Sequence, residues 1–140
     1  MIIAPEKTAQ IPGLYSRFDL QFTISPGDDS VKLVIGQRSN EICVEIARET
    51  GFLHITSQND GSASYIFSSL NIGTNFQDKH ISIRVVAESD IIEVFLADQY
   101  SLCARINRQL LDEHISFISN SQIVLQDIDI FRLRWLEEIS

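Results

Sequence analysis

Apolar residues recur at every second position over most of this chain. That spacing places one face of a β-strand against a core and leaves the other in solvent. In RFDLQFTIS, Phe18, Leu20, Phe22 and Ile24 alternate with polar residues. PGDD at 26–29 then signals a turn, after which Val31, Leu33 and Ile35 resume the alternation. Ile42, Val44 and Ile46 repeat it in NEICVEIA, and Ile81, Ile83 and Val85 in HISIRVVAES. Ile115 and Phe117 mark a further short strand, and ETG (49–51) and NDG (59–61) read as turns. No long stretch holds a helical period; RINRQLLDEH (105–114) is the best place for a single helical turn. The pattern predicts an all-β, antiparallel fold of two packed sheets, with about ten or more strands at sandwich-like spacing. Residues 1–13 carry two prolines and no pattern, so they are expected to be a lead-in or the end of a linker. Residues 14–140 are read as one sandwich domain.

Two segments make sharper demands. In QIVLQDIDIFRLRWL, Ile128 and Ile130 share one parity while Phe131, Leu133 and Trp135 share the other. One strand keeps both sets on a face only if an extra residue intervenes. The expectation is a bulge near Ile130–Phe131 or a strand covered on both sides. In ESDIIEVFLADQYSLCARI, two apolar sets, Ile92/Val94/Leu96 and Leu102/Ala104/Ile106, flank a turn. Setting Leu96 against Leu102 turns both sets inward and gives the tip Asp98-Gln99-Tyr100. Glu93 then opposes Arg105 as a surface ion pair, and Phe95 opposes Cys103. Phe95, a large outward aromatic, is either a lone exposed ring or a candidate interface residue.

Composition narrows the function classes. A formal net charge of −8 argues against nucleic acid or an anionic membrane as partner. No apolar run approaches the ~20 residues of a spanning helix. The first residues lack the basic start, apolar core and cleavage site of a signal peptide. A cytoplasmic location is therefore expected, with Cys43 and Cys103 as free thiols. His54, His80 and His114 are scattered, and no His or Cys spacing suits zinc, so neither metal nor cofactor is expected. No nucleophile elbow or phosphate-binding glycine loop is present. Asp127 and Asp129 share a strand face but supply too few oxygens for calcium, and they read as a solvated face. Of the rings that could stack on a sugar, Trp135 follows core parity with Phe131 and Leu133. Tyr100, at a loop tip, is the candidate for ligand contact.

The segment ISIRVVAESDIIEVFLADQYSLCARI resembles a run in the C-terminal β-sandwich module of glycoside hydrolase family 32. This family includes invertases, sucrose-6-phosphate hydrolases, levanases and inulinases. Glu93-Val94-Phe95, Asp98 and Arg105-Ile106 match that run. IVLQDIDIFRLRW is similar to the module's closing strand, and ARETGFLHI to its short hairpin. The chain departs from the pattern at Glu88-Ser89-Asp90, at Gln99, and at Asn107-Arg108. The resemblance implies a concanavalin-like sandwich, and a non-catalytic module that stabilises or docks on a catalytic propeller or pairs with a second copy. The family's catalytic motifs include an Arg-Asp-Pro and a Glu-Cys sequence. The prolines here follow Ala4, Ile11 and Ser25, and the cysteines follow Ile42 and Leu102. No catalytic residue can be carried over, so enzyme activity is an expectation for a parent protein only. The alternative is a free-standing, lectin-like module with carbohydrate as its partner.

Overall fold

The structure, a computed structural model, describes residues 1–37, 40–59 and 62–133. Twelve strands form among them: β1 Ile2–Ile3, β2 Ala9–Tyr15, β3 Phe18–Ile24, β4 Ser30–Gln37, β5 Asn40–Ala47 and β6 Phe52–Asn59. The chain continues through β7 Ser62–Asn71, β8 Ile81–Glu88, β9 Ile91–Leu96, β10 Tyr100–Arg105, β11 Glu113–Ser119 and β12 Ile123–Arg132. They pair into two antiparallel six-stranded sheets that pack face to face. The first runs β1-β12-β3-β8-β9-β10 and the second β2-β11-β4-β5-β6-β7.

The alternation dictates this packing. Phe18, Leu20, Phe22 and Ile24 are all buried, as are Val31, Leu33 and Ile35 on the opposing sheet. Phe22 and Phe117 meet edge to face across the two layers, with ring centroids 5.0 Å apart. Each such side chain contributes about 1.5–3 kcal/mol through the apolar surface it removes from water.

The amino-terminal segment is a correction to the expected lead-in. Ile2 and Ile3 pair with Val124 and Ile123, and β2 pairs with β11. Pro12 lacks an N–H to donate, which an edge strand such as β2 tolerates. No helical turn forms over 105–114. Arg108 instead holds Glu113 through two hydrogen bonds of 3.0 and 3.1 Å, and the Leu111 N–H donates to the same carboxylate at 2.7 Å. These contacts use side chains and the backbone N–H to fix an irregular loop.

The PGDD turn is held from inside. Arg48, only 1% exposed, donates from Nε to the Asp29 carbonyl at 3.0 Å and from Nη1 to the Ser25 carbonyl at 2.6 Å. Burial lowers its affinity for a proton, and Asp29 and Asp28 oppose that change. At the ETG turn Gly51 has φ 79°, and a Cβ there would lie 2.8 Å from the Gly73 carbonyl. NDG and Trp135 fall at least partly outside the described residues.

The hairpin tip has slid from its expected place. Leu96 faces Tyr100, Val94 faces Leu102 and Ile92 faces Ala104. The tip is therefore Ala97-Asp98-Gln99, closed by the Gln99 N–H donating to the Leu96 carbonyl at 3.0 Å. The ladder is offset by two residues from the parity-derived pairing, and both apolar sets still face inward. The expected Glu93–Arg105 pairing is corrected. Cys103 stands opposite Glu93, and Arg105 stands opposite Ile91 with its guanidinium 3.4 Å from Asp90. Phe95 faces Ser101 rather than Cys103. A bulge does interrupt β12, but between Gln126 and Asp129, upstream of Ile130–Phe131. It leaves Ile130 opposite the buried Leu20 and Phe131 on the outer face, 55% exposed.

Candidate functional site

The outer face of the first sheet carries a row of side chains crossing five strands. Asp129 on β12 faces Gln21 on β3, which faces Arg84 on β8. Arg84 faces Phe95 on β9, and Phe95 faces Ser101 on β10. Because successive strand residues point to opposite faces, this row is the outward complement of the core. A cavity of about 770 Å³ lies over the row, within the ~300–1,000 Å³ usual for small-ligand sites. The β9–β10 tip borders it with Asp98, Gln99 and Tyr100, and the β12 bulge borders it with Asp127.

Both borders are strained. Ala97, Asp98 and Asp127 each adopt φ 54°. A Cβ in this left-handed region costs roughly 1–2 kcal/mol, less for Asp, whose side chain bonds locally. Such residues concentrate where the surroundings enforce them for a purpose. Here two separate chain segments place a strained aspartate on one cavity.

The floor is ordered by charge and ring contacts. Arg84 grips Asp19 with Nε at 3.0 Å and Nη2 at 2.7 Å. That hydrogen bond holds the Asp19 carboxyl below its usual range, against the opposing pull of burial. The Arg84 guanidinium also lies 5.8 Å from the Phe95 ring centroid. Tyr100 packs edge to face on Phe76, centroids 5.9 Å apart, and Phe76 is buried in the core. Tyr100 pairs with the inward Leu96, so its ring lies on the core side of the β9–β10 tip and supports that border. The outward Phe95 ring amid carboxylates, amides and hydroxyls forms an arrangement that stacks on an apolar ring face while hydrogen-bonding its polar substituents.

Of the residues singled out from sequence, Tyr100 and Phe95 line this cavity, whereas Glu93 and Arg105 do not. Phe95 is half-buried beside Arg84 rather than bare. Asp127 and Asp129, read as a solvated face, line it as well. Gln21 and Arg84 were not singled out, and Asp98 was named as a tip residue and for the family resemblance but not as a site residue. Their signal is their outward parity, which acquires meaning only once the strand order is known. Among the described residues, no group of three or more His, Cys, Asp or Glu is placed to hold a metal ion. No helix among them is long and apolar enough to cross a membrane.

No family model and no curated protein matches this sequence. Solved structures match it by fold. The carbohydrate binding module CBM66 from Bacillus subtilis superposes with a TM-score of 0.73 at 15% identity, over 91% of this chain and 82% of that one. The Caenorhabditis elegans galectin LEC-6 gives 0.65 at 11% identity, over 91% of each chain. The structure of A. japonicus CB05 gives 0.71 at 11% identity, over 96% of this chain but 25% of the other. At these identities the likeness defines the fold, an antiparallel β-sandwich.

Proposed function

We propose that this chain is a carbohydrate-binding β-sandwich, and that the saccharide docks on the outer face of the first sheet. The observation that carries this reading is the convergence of strained Asp98 and Asp127 on the cavity lined by Phe95 and Tyr100. The carbohydrate binding module and the galectin among the fold neighbours support it. In finer detail, the chain is a non-catalytic C-terminal module of a β-fructofuranosidase-like hydrolase, stabilising or docking on a propeller. Glu93-Val94-Phe95, Asp98 and Arg105-Ile106 support that reading. So does the A. japonicus CB05 structure, in which the matched region is a quarter of a longer chain. A free-standing lectin-like module is the second reading, favoured by the galectin, which this fold covers almost end to end.

Titration calorimetry against fructo-oligosaccharides, levan, inulin, galactosides and glucans tests the main reading. Saturable binding to at least one is expected. Tyr100→Ala should weaken it by about tenfold or more, or ~1.4 kcal/mol. A silent panel overturns it. Reading the coding sequence upstream of Met1 separates the two finer readings. An in-frame propeller with paired carboxylates supports the accessory module; a stop codon followed by a ribosome-binding site supports the free-standing one.

A further inference from the structure

The lining of the cavity has an uneven charge. Among the described residues that line it, Asp98, Asp127 and Asp129 contribute three carboxylates and Arg84 the sole cation. That cation is already engaged, since two of its nitrogens are bonded to Asp19. The remaining polar lining is neutral amide and hydroxyl, and the whole chain carries −8. Two of the three carboxylates sit on tightly turned backbone, at the β9–β10 tip and the β12 bulge. An arriving anion would find the Arg84 charge already balanced by Asp19 and would meet three like charges around the cavity. Both effects act against it.

We infer that this cavity accepts uncharged glycosyl residues and turns away those bearing phosphate, sulfate or carboxylate groups. The inference rests on the saccharide reading above and sharpens it. If the parent enzyme acts on a sugar phosphate, this module does not hold that substrate. It holds a neutral glycan, so the module and the catalytic domain recognise different molecules.

The test pairs fructose, glucose, galactose and sucrose with their 6-phosphates at low ionic strength, alongside whichever oligosaccharide the panel identifies. Binding is read by calorimetry and by amide chemical-shift changes. At least one neutral member should bind about tenfold or more tightly than its ester, and added salt should narrow that gap, because screening weakens repulsion between exposed charges. The triple variant Asp98→Asn, Asp127→Asn, Asp129→Asn should bring the ratio of the two affinities close to one. Asparagine is among the residues best tolerated at positive φ, so both turns should survive; circular dichroism and a thermal melt check this. Esters that bind as well as neutral sugars overturn the inference and leave the saccharide reading standing. A neutral preference that persists in the folded triple variant also overturns it, because the carboxylates would then not be its source. No binding by any probe overturns the saccharide reading itself.

Discussion

The two sheets share one alternation, yet their outward faces differ. On the second sheet, Val34, Cys43 and Thr56 stand opposite one another across β4, β5 and β6. They point away from the core, but they are only 9%, 0% and 5% exposed. On the first sheet the corresponding row is Gln21, Arg84 and Phe95, and it stays open beneath a cavity. The difference lies less in the ladders than in what borders them. The first sheet borders its row with a positive-φ tip and a bulge that carry Asp98 and Asp127, whereas the irregularity beside Thr56 between β6 and β7 leaves the second sheet's stripe closed.

The sharpest probe of that contrast uses one thiol from each outer face. Cys43, on the second sheet, has its thiol pushed up to about 12 by burial, with Glu45 and Glu41 adding to the shift and Lys32 opposing it. Cys103, on the first sheet, is exposed. Since the thiolate is the reacting form, native protein at neutral pH should label once with a thiol reagent, at Cys103, and twice after denaturation. Rapid double labelling of the native state would mean that the second face is open too.

Thr56→Val asks whether the closed stripe is purely structural. The Thr56 hydroxyl is buried without a hydrogen-bond partner among the described residues. An unsatisfied buried polar group is costly, so the valine should raise stability by about 1 kcal/mol in urea unfolding. It should leave glycan affinity unchanged. A loss of affinity would move the site to the second sheet.

Ala97→Gly makes the complementary change at the open face. Removing the Cβ at φ 54° relieves strain but enlarges the unfolded ensemble, for a net gain of roughly 0.5 kcal/mol. Affinity should fall modestly as the tip loosens. A stability loss beyond experimental error would show that the tip is unstrained.

The smallest effect comes from the Arg84–Asp19 pair. Because Asp19 has a lowered folded-state pKa, its contribution is fully present above the unfolded carboxyl value. It is lost as pH falls through the folded value. Arg84 is half-exposed, so the pair is worth only about 0.3 kcal/mol. Asp19→Asn should flatten the fall in stability between about pH 5 and pH 2. An unchanged slope would remove the pair from the account.

Much of the architecture was legible because burial follows parity, as Phe18 to Ile24 illustrate. What parity cannot distinguish is a shift of two. The hairpin's faces were readable, but its register was not, and the Glu93–Arg105 pairing failed for that reason alone. The β12 bulge left a readable phase change, but its extra residue lies among polar positions around Asp127, where hydrophobicity gives no marker. Ala97-Asp98 carries no glycine to announce its positive φ. Residues 1–13 looked unpatterned because a two-residue strand and a proline-containing edge strand are too short or irregular to show alternation. Tyr100 and Phe95 were recognisable by type. The carboxylates around them were not, since Asp98 and Asp127 become neighbours of one cavity only through the strand order.

The slid hairpin also bears on how such a module changes over generations. An insertion at the β9–β10 tip lengthens the loop and leaves the ladder below it, with both inward sets, in place, because hairpin loops of two to five residues all join antiparallel strands. The same event would replace the residues the tip offers to a ligand. Length variation in this one connection is therefore a route by which specificity can change while the hydrophobic interior stays as it is.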